Sequence, residues 1–366
     1  MPRRHPTPNW PRPHHLPWLA LLWALMVCPW AWAGSSPLLL NDERGAIDAW
    51  PAVTLLSDPS LQLSVEDVLA QSDKFTPPPS VGATLGVRPD AVWLRIPFEV
   101  ASTSDAQWIL DVNHSDLNHI GVYLTTSGYV VQQATLGSLH PYAHRPLQSR
   151  SHALTLNLRP GLQYELLVRI QTRGAMILPI SFYKPAAMLS KAVNEQMLQG
   201  VLTGLALCLL VYSLGQWLSL RDSLFLKYAL LLTGSLVFSL QLFGVGRQYV
   251  WGAWPWAEPY ASGVAALAAA GGSFLFIEHT LRGPDQARWW RLAMRGGAAV
   301  CGVVAVAHVL DVLPLRVVTA VMITTAIRAA IKPYSMAVAP DSSFKNCVTA
   351  VVQFFMMELQ IKSDET

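Results

Sequence analysis

The sequence predicts a jelly-roll-like β-sandwich followed by an α-helical transmembrane bundle. Between about residues 38 and 191, short segments alternate polar with apolar residues and are rich in β-branched and aromatic side chains, a pattern typical of antiparallel sandwiches. From about residue 197 onward, charged residues become rare and apolar stretches approach the roughly 20 residues that span a bilayer. Hydrophobic residues make up 52% of the chain and charged residues 13%, about half the charged fraction of a soluble protein.

Residues 1–33 have the features of a cleavable signal peptide. Arg3 and Arg4 stand near the N-terminus ahead of an apolar run over residues 18–30, and Ala31-Trp32-Ala33 supplies the small residues that signal peptidase accepts. A retained signal anchor is the alternative, but the apolar run of about 13 residues is short for a membrane span. We therefore expect export, with a mature protein that begins at Gly34.

Residues 34–190 are predicted to form the exported sandwich. No cysteine occurs in this range, so the domain would be held together by core packing without a disulfide. One short helix is expected after Ser64, which can cap it, with Asp67 at the capping-box position. The predicted strands follow the period-two alternation and cover residues 91–98, 107–112, 120–124, 152–158 and 164–170.

Residues 196–331 are predicted to contain four or five transmembrane helices. The apolar stretches fall at about 197–218, 225–244, 259–277, 296–313 and 315–331. The segment from Arg282 to Arg295 carries four arginines, whereas the segment around Trp251 is aromatic and has a single arginine. The positive-inside rule therefore predicts a cytoplasmic arginine-rich segment and a periplasmic N-terminal domain, at a bacterial inner membrane.

Four polar residues stand out near the ends of these stretches. Glu278 and His279 fall at the cytoplasmic end of the third stretch, where we interpret them as side chains that snorkel to the interface. His308 and Asp311 lie one turn apart at the other end of the fourth stretch, and an interfacial position is favoured over a polar pair or pocket.

Segments of both parts carry the residues of a known receptor family. They are Leu63-Ser64-Val65-Glu66-Asp67-Val68, Val92-Trp93-Leu94-Arg95, Trp108, Val122-Tyr123-Leu124, Leu167-Val168-Arg169-Ile170 and Leu178-Pro179, then Gly200, Gly204, Tyr212-Ser213-Leu214, Arg221-Asp222, Tyr228 and Gly244-Val245-Gly246-Arg247-Gln248-Tyr249-Val250-Trp251. On these residues the chain resembles the bacterial 7TMR-DISM receptors with a type 2 extracellular domain. The resemblance implies a jelly-roll ectodomain that binds small ligands such as carbohydrates, and it extends over about residues 38–320.

The segment 332–366 differs in composition from the rest of the chain. It has three lysines and no arginine, whereas the preceding sequence favours arginine. The resemblance implies two further spans and a cytoplasmic output domain, commonly a diguanylate cyclase or histidine kinase, and neither follows in this sequence. We expect this atypical tail to result from a C-terminal truncation or a frameshift, with a genuine shortened receptor as the alternative.

Five residues of the exported part are candidates for a ligand site. They are Trp50, Tyr129, Tyr142, His114 and His119. Exposed aromatic rings are what a sugar-binding sandwich would use, and the histidines lie in a polar segment between two predicted strands. A metal site on these histidines is disfavoured relative to a polar loop because their spacing matches no zinc pattern, so neither a metal nor a cofactor is expected. Trp93 is a further aromatic candidate, although it and Trp108 are both expected in the core.

The sequence therefore predicts a membrane-bound sensor that transmits a signal and is not an enzyme. It has no GxSxG, Walker A or HExxH motif, and its net charge of +3 without a basic stripe argues against nucleic acid. The expected partners are a small ligand of carbohydrate type, membrane lipid, and either a second copy or a separate cytoplasmic signalling protein. The alternatives are a membrane-anchored carbohydrate-binding module without signalling and a non-functional receptor fragment.

Overall fold

The computed structural model of the chain describes residues 37–79, 82–252, 254, 256, 258–281 and 288–312. The predicted signal peptide, the predicted fifth span at 315–331 and the tail at 332–366 lie outside the described residues.

The N-terminal half forms twelve β-strands within the described residues. The strands are β1 Leu38–Leu40, β2 Ala46–Asp48, β3 Thr54–Asp58, β4 Thr84–Val87, β5 Ala91–Val100, β6 Gln107–Val112, β7 His119–Thr126, β8 Tyr129–Leu136, β9 His152–Asn157, β10 Gln163–Gln171, β11 Ala175–Ile177 and β12 Ile180–Tyr183. All five strands expected from the alternation are confirmed, as β5, β6, β7, β9 and β10. The period of two was a sufficient signal there because one face of each strand is buried against a facing sheet.

The strands make two main sheets and a small ribbon. The larger sheet has the order β1-β5-β10-β7-β8, with β3 also paired to β5, and the smaller has the order β2-β12-β6-β9. Pairing is antiparallel throughout except for β1 and β5, and β4 pairs with β11 in the ribbon. This is the predicted multi-sheet β-sandwich; jelly-roll connectivity stays a prediction.

One hydrophobic core lies between the two sheets. Trp108 and Leu110 of β6 are fully buried in it with Phe98 of β5, and the rings of Phe98 and Phe182 lie 5.1 Å apart across the sheets. The core position expected for Trp108 is confirmed. Since the domain contains no cysteine, this packing has no covalent support.

A short helix, α1 (Val65–Leu69), covers the outer face of the larger sheet. The predicted capping box is present, because Ser64 Oγ accepts from the Asp67 amide at 3.2 Å and the Asp67 carboxylate accepts from the Ser64 amide at 3.0 Å. Val68 packs there with Trp93 and Leu167. Trp93 is therefore buried, as expected for a core residue, but under α1 rather than between the sheets.

Five α-helices follow the sandwich in the part of the chain that the structure describes. They are α2 Pro185–Leu220, α3 Ser223–Leu242, α4 Val245–Tyr249, α5 Glu258–Thr280 and α6 Arg288–Val309. Four of them, α2, α3, α5 and α6, are long and apolar enough to cross a membrane, in agreement with the first four predicted spans. Two of these helices begin earlier than predicted. Helix α2 begins at Pro185 rather than near residue 197, because its first turns pack on the sandwich. Helix α6 begins at Arg288 rather than near residue 296, and its first turns bury Trp290 and Met294 within the bundle.

Within the bundle, α5 packs against α3 and α6. The α3–α5 approach requires glycine, since a Cβ on Gly272 would stand 2.6 Å from the amide nitrogen of Leu231. Gly200 and Gly204 have the GxxxG spacing, but a Cβ on either would meet nothing within 4 Å among the described residues. That motif makes no close helix contact in the described part of the chain.

The interpretation of Glu278 as an interfacial side chain is wrong. Glu278 is fully buried and accepts from Lys227 Nζ of α3 at 3.1 Å and from Arg295 Nη2 of α6 at 3.2 Å. Two cations from neighbouring helices thus offset the desolvation of this carboxylate. His308 is likewise buried, with its ring 5.5 Å from that of Tyr260, so it does not lie exposed at the interface.

The core position of Trp108 generates a stability prediction. In a fragment of residues 37–195, which holds the sandwich and the turns of α2 that pack on it, Trp108→Ala should lower the free energy of unfolding by about 3–5 kcal/mol, as large aromatic deletions do. Tyr129, which is 77% exposed, provides the matched control, and Tyr129→Ala should change it by about 0.5 kcal/mol or less. Denaturant titration followed by circular dichroism measures both values. A fragment with no cooperative transition would contradict an independently folding sandwich.

Candidate functional site

The first junction between the sandwich and the helices is the start of α2. Strand β12 ends at Tyr183, and after Lys184 the chain continues into a helix with Pro185 in its first turn, where proline is tolerated because that amide has no intrahelical acceptor. Met188 then packs against Ile109 and Ala153. These lie on the outer face of the smaller sheet, so α2 covers that face before it enters the bundle.

Two ion pairs fix α2 on this face. Lys191 Nζ is 2.9 Å from Asp111 Oδ2, whose side chain is 1% exposed, and the Arg150 guanidinium grips Glu195 at 2.6 and 2.7 Å. Burial alone would lower the pKa of Lys191, but the charge and hydrogen bond of Asp111, with the Tyr183 hydroxyl, outweigh it and raise the pKa. Since each pair joins a strand or loop of the sandwich to α2, the domain cannot rotate on this helix without breaking them.

Lys184 anchors the N-terminus of α2 from the other side. Its ammonium lies 2.5 Å from Asp42 Oδ1 and 4.4 Å from the centre of the Trp108 ring. Hydrogen bonds from Lys184 and Ser104 hold the pKa of Asp42 at about 2. The aspartate is therefore ionised throughout the neutral range, and the anchor does not depend on pH there.

The second junction is the segment that links α3 to α5. The Ser115 hydroxyl, between β6 and β7, donates to the carbonyl of Leu242 at 2.8 Å. Gln241 donates to Asp116 at 3.3 Å and accepts from the Trp251 indole at 3.0 Å. The polar loop that precedes β7 thus bonds directly to the end of a membrane helix.

Close backbone approach at this junction requires glycine. Gly244 has a φ of 75°, a conformation that residues with a Cβ adopt rarely, and a Cβ there would stand 2.6 Å from the Arg150 carbonyl oxygen and 2.9 Å from Ser115 Cβ. At Gly252 a Cβ would collide with the Arg247 carbonyl and lie 3.4 Å from Tyr142 Cβ. The 142–152 segment of the sandwich therefore lies against the 244–252 segment of the helical region.

Buried cationic and imidazole groups gather where these segments meet. Arg145 and Arg247 are 7% and 4% exposed. Desolvation lowers the pKa of Arg145 to about 10 and, together with the charge of Arg145, that of Arg247 to about 9. Desolvation, then the charges of Arg145 and Arg247, hold the pKa of His152 well below its usual range, so this imidazole is neutral, with Nε2 3.2 Å from the Ser115 carbonyl.

The five residues predicted for a ligand site do not come together. His114 and Tyr142 lie on the segments that form the second junction; His114 is buried and Tyr142 half-buried. Trp50 is 7% exposed and belongs to the sandwich core together with Ala52 of the same 3-10 turn, so it offers no open ring face.

His119 and Tyr129 lie at opposite ends of the β7–β8 hairpin. His119 begins β7, and Tyr129 pairs with Thr126 at the other end of that strand. Seven steps along a strand separate these ends by about 23 Å. The His119 ring instead contacts the His140 ring at 4.9 Å, and burial followed by the charges of His140 and Arg169 lowers the pKa of His119. The described residues hold no group of three or more His, Cys, Asp or Glu side chains placed to bind a metal.

Sequence reasoning missed Arg145, His152 and the polar first turns of α2. The Gly244–Trp251 segment was noted only as a shared sequence pattern, although two glycines just before an arginine, at the end of an apolar stretch, could have indicated a close backbone contact. Arg145 lies in a loop with no periodic pattern, and its burial depends on contacts distant in sequence.

Two family comparisons cover the sandwich and the helices separately. The 7TMR-DISM extracellular 2 family matches residues 51–184, and the family described as 7TM diverse intracellular signalling matches residues 195–354. The chain belongs to the 7TMR-DISM family. The second match continues past residue 320, where the sequence resemblance was expected to end, into the segment of atypical composition.

Membership of this family and the four long apolar helices make the chain a membrane protein of receptor-like type. No curated protein matches it. Among solved structures, the crystal structure of Ruminococcus gnavus beta-glucuronidase is similar at 14% identity and a TM-score of 0.22. That match covers 38% of this chain, and the chain spans 23% of that protein's length.

The buried pair of Asp111 and Lys191 generates the second prediction. Lys191→Met should lower the free energy of unfolding of the 37–195 fragment by about 3–5 kcal/mol, because it leaves a buried carboxylate without its counter-charge. The double variant Asp111→Asn with Lys191→Met should be more stable than Lys191→Met alone, since the uncompensated charge is gone. Denaturant melts of both single variants and the double variant measure the coupling energy. Additive effects would show that the pair does not fix α2 to the sheet.

Proposed function

We propose that this 7TMR-DISM chain is an inner-membrane sensor whose sandwich binds a small ligand, of carbohydrate type, and whose helices carry the resulting change across the membrane. The observation that carries this proposal is the double attachment of the sandwich. Ion pairs fix it to α2, and hydrogen bonds and glycine contacts fix it to the end of α3. A rigid domain held on two different helices can move one relative to the other, which a single flexible linker cannot do.

The ligand would have to favour one arrangement of the sandwich and helices over another, because equal affinity for both shifts no equilibrium. Of the aromatic residues predicted for the ligand site, exposed Tyr129 and half-buried Tyr142 keep ring surface that can stack on a sugar. Tyr142 lies at the second junction, where its Cβ is 3.4 Å from the position of a Cβ on Gly252. A ligand on Tyr142 would therefore act directly on the contact between the two parts.

At the other end of the bundle, Glu278 of α5 joins Lys227 of α3 to Arg295 of α6. A displacement of α3 at the sandwich end would reach this buried carboxylate and so the neighbouring helices. We infer that output passes from there to a second copy of the chain or to a separate cytoplasmic signalling protein, and that the chain performs no catalysis of its own.

The orientation that fits this function places the sandwich in the periplasm. The arginine-rich segment follows the end of α5 that contacts the beginning of α3, whereas the other end of α3 contacts the sandwich. In a variant without native cysteines, an impermeant thiol reagent added to spheroplasts should modify Tyr249→Cys, at a side chain 67% exposed, and spare Arg288→Cys. Modification of Arg288→Cys and protection of Tyr249→Cys would show the opposite orientation, with the sandwich in the cytoplasm.

A membrane-anchored carbohydrate-binding module is the second candidate function. It is favoured by the ion-paired start of α2, which would hold such a module to the membrane even if the second junction carried no signal. In that case ligand binding would leave the helices unchanged.

Ligand binding and helix movement measured in one sample separate the two functions. We expect at least one sugar from a panel of neutral mono- and disaccharides to raise the melting temperature of the protein in nanodiscs, and to shift the distance between spin labels at Leu220 of α2 and Leu292 of α6 by about 1–2 Å, as in known helix-shift switches. Both side chains are exposed. Stabilisation without a change in distance would favour the anchored module. No stabilisation by any sugar would contradict the carbohydrate proposal.

A further inference from the structure

Arg145 presents two hydrogen-bond donors that no described residue accepts. Its Nη1 donates to the carbonyl of Ser149 at 2.8 Å and to that of Ser151 at 3.1 Å. Its Nε and Nη2 are buried without an acceptor among the described residues, and the side chain forms no ion pair there. Since buried donors without acceptors cost free energy, and more so on a charged group, this arrangement calls for an acceptor.

The open donors form the edge of the guanidinium that grips oxyanions. Nε and Nη2 point in the same direction, so they can donate in parallel to two oxygens of one carboxylate or phosphate. Elsewhere in this protein the same edge does so: Arg88 holds Asp90 at 3.0 and 2.6 Å, and Arg150 holds Glu195 at 2.7 and 2.6 Å. Arg145 offers the same fork, with Nη1 already fixed by two carbonyls and the plane lying 5.2 Å from the centre of the Tyr142 ring.

The surroundings of Arg145 are positive. Arg247, on the facing segment of the second junction, is close enough for the two charges to repel. Asp116 is an acid near Arg247, and its carboxylate accepts from Gln241. His152, also buried here, has an Nδ1 without a partner in the described part of the chain. A second anion would relieve the repulsion between the guanidinium groups.

We propose that Arg145 is the centre of an oxyanion-binding site at the junction between the sandwich and the membrane helices, and that its ligand is the phosphate or carboxylate group of a small molecule or of a lipid headgroup. The loop that carries Arg145 borders solvent, since the neighbouring Pro146 and Gln148 are exposed. Binding of the oxyanion does not depend on the proposed sensor function. Only the effect of that binding on signalling rests on it. Because Arg145 lies on the sandwich and Arg247 on the helical region, an anion between them would strengthen the second junction.

Binding is tested on the full chain in nanodiscs of zwitterionic lipid, with inorganic phosphate and, separately, acetate as probes. We expect isothermal titration to give one site per chain for at least one probe, and hydrogen exchange within residues 142–152 to slow when that probe is added. The proposal would be overturned if neither probe bound and if hydrogen exchange within residues 142–152 were also unchanged in nanodiscs that contain phosphatidylglycerol. Slowed exchange with phosphatidylglycerol alone would identify a lipid headgroup as the source of the oxyanion.

The role of the fork is tested by Arg145→Lys, which keeps the charge but cannot donate in parallel. We expect it to weaken binding of the probe, or the exchange effect of the anionic lipid, at least 10-fold. Arg159→Lys, at an exposed arginine beyond the opposite end of β9, is the matched control and should leave binding unchanged.

Equal affinity of the Arg145→Lys variant and the wild-type protein would overturn the assignment to Arg145. If that variant fails to fold, the exchange footprint of the wild-type protein decides: protection within 142–152 supports the site, and protection only elsewhere contradicts it. Loss of sugar binding would not affect this test, so the two proposals fail separately.

Discussion

The organisation of this chain depends on the packing of α2 against the outer face of the smaller sheet. A helix of 36 residues is about 54 Å long, and its first turns belong to the sandwich while the rest lies in the bundle. Met188 closes the apolar part of this contact, and Lys191 neutralises the buried Asp111. If α2 moved away from the sheet, Asp111 would stay buried without its counter-charge, which is costly. The pair therefore permits only small displacements of α2 relative to the sheet. The sandwich and α2 therefore behave as one mechanical unit.

The second junction connects this unit to a further membrane helix, α3. Ser115 and the 142–152 segment contact the end of α3, which at its other end is tied through Lys227 to the buried Glu278. The buried arginines at the second junction and the buried carboxylate of Glu278 at the other end of α3 differ in how their charges are compensated. The carboxylate has two cations bound to it, whereas Arg145 has no carboxylate partner among the described residues. That asymmetry is why we place a ligand-dependent step at the sandwich end and a permanent connection at the other.

Five of the twelve strands in the described residues, the capped helix α1 and the first four spans could be predicted from sequence, because each depends on a local pattern. Alternation marks strands with one buried face, Ser64 and Asp67 mark a helix start, and hydropathy marks long apolar helices. The early start of α2 could not be predicted in this way, since the polar residues that lengthen it, Lys191 and Glu195, are stable there only with partners from β6 and from the loop before β9. Trp50 was predicted for the ligand site but lies in the core. An aromatic ring suits a core as well as a sugar-binding surface, and only the tertiary packing distinguishes the two.

The contact between Gly244 and the sandwich provides the most direct test of the two-junction account. Gly244→Ala introduces a Cβ 2.6 Å from the Arg150 carbonyl at a φ of 75°, whereas Gly215→Ala, in α2, places a Cβ where nothing lies within 4 Å. Hydrogen exchange of the full chain in nanodiscs should become faster in residues 113–118 and 142–152 for Gly244→Ala, because the loops lose their helix contacts, and should stay at the wild-type rate for Gly215→Ala. Exchange in these segments that is unchanged by Gly244→Ala would contradict the account, because the sandwich would then be held by α2 alone.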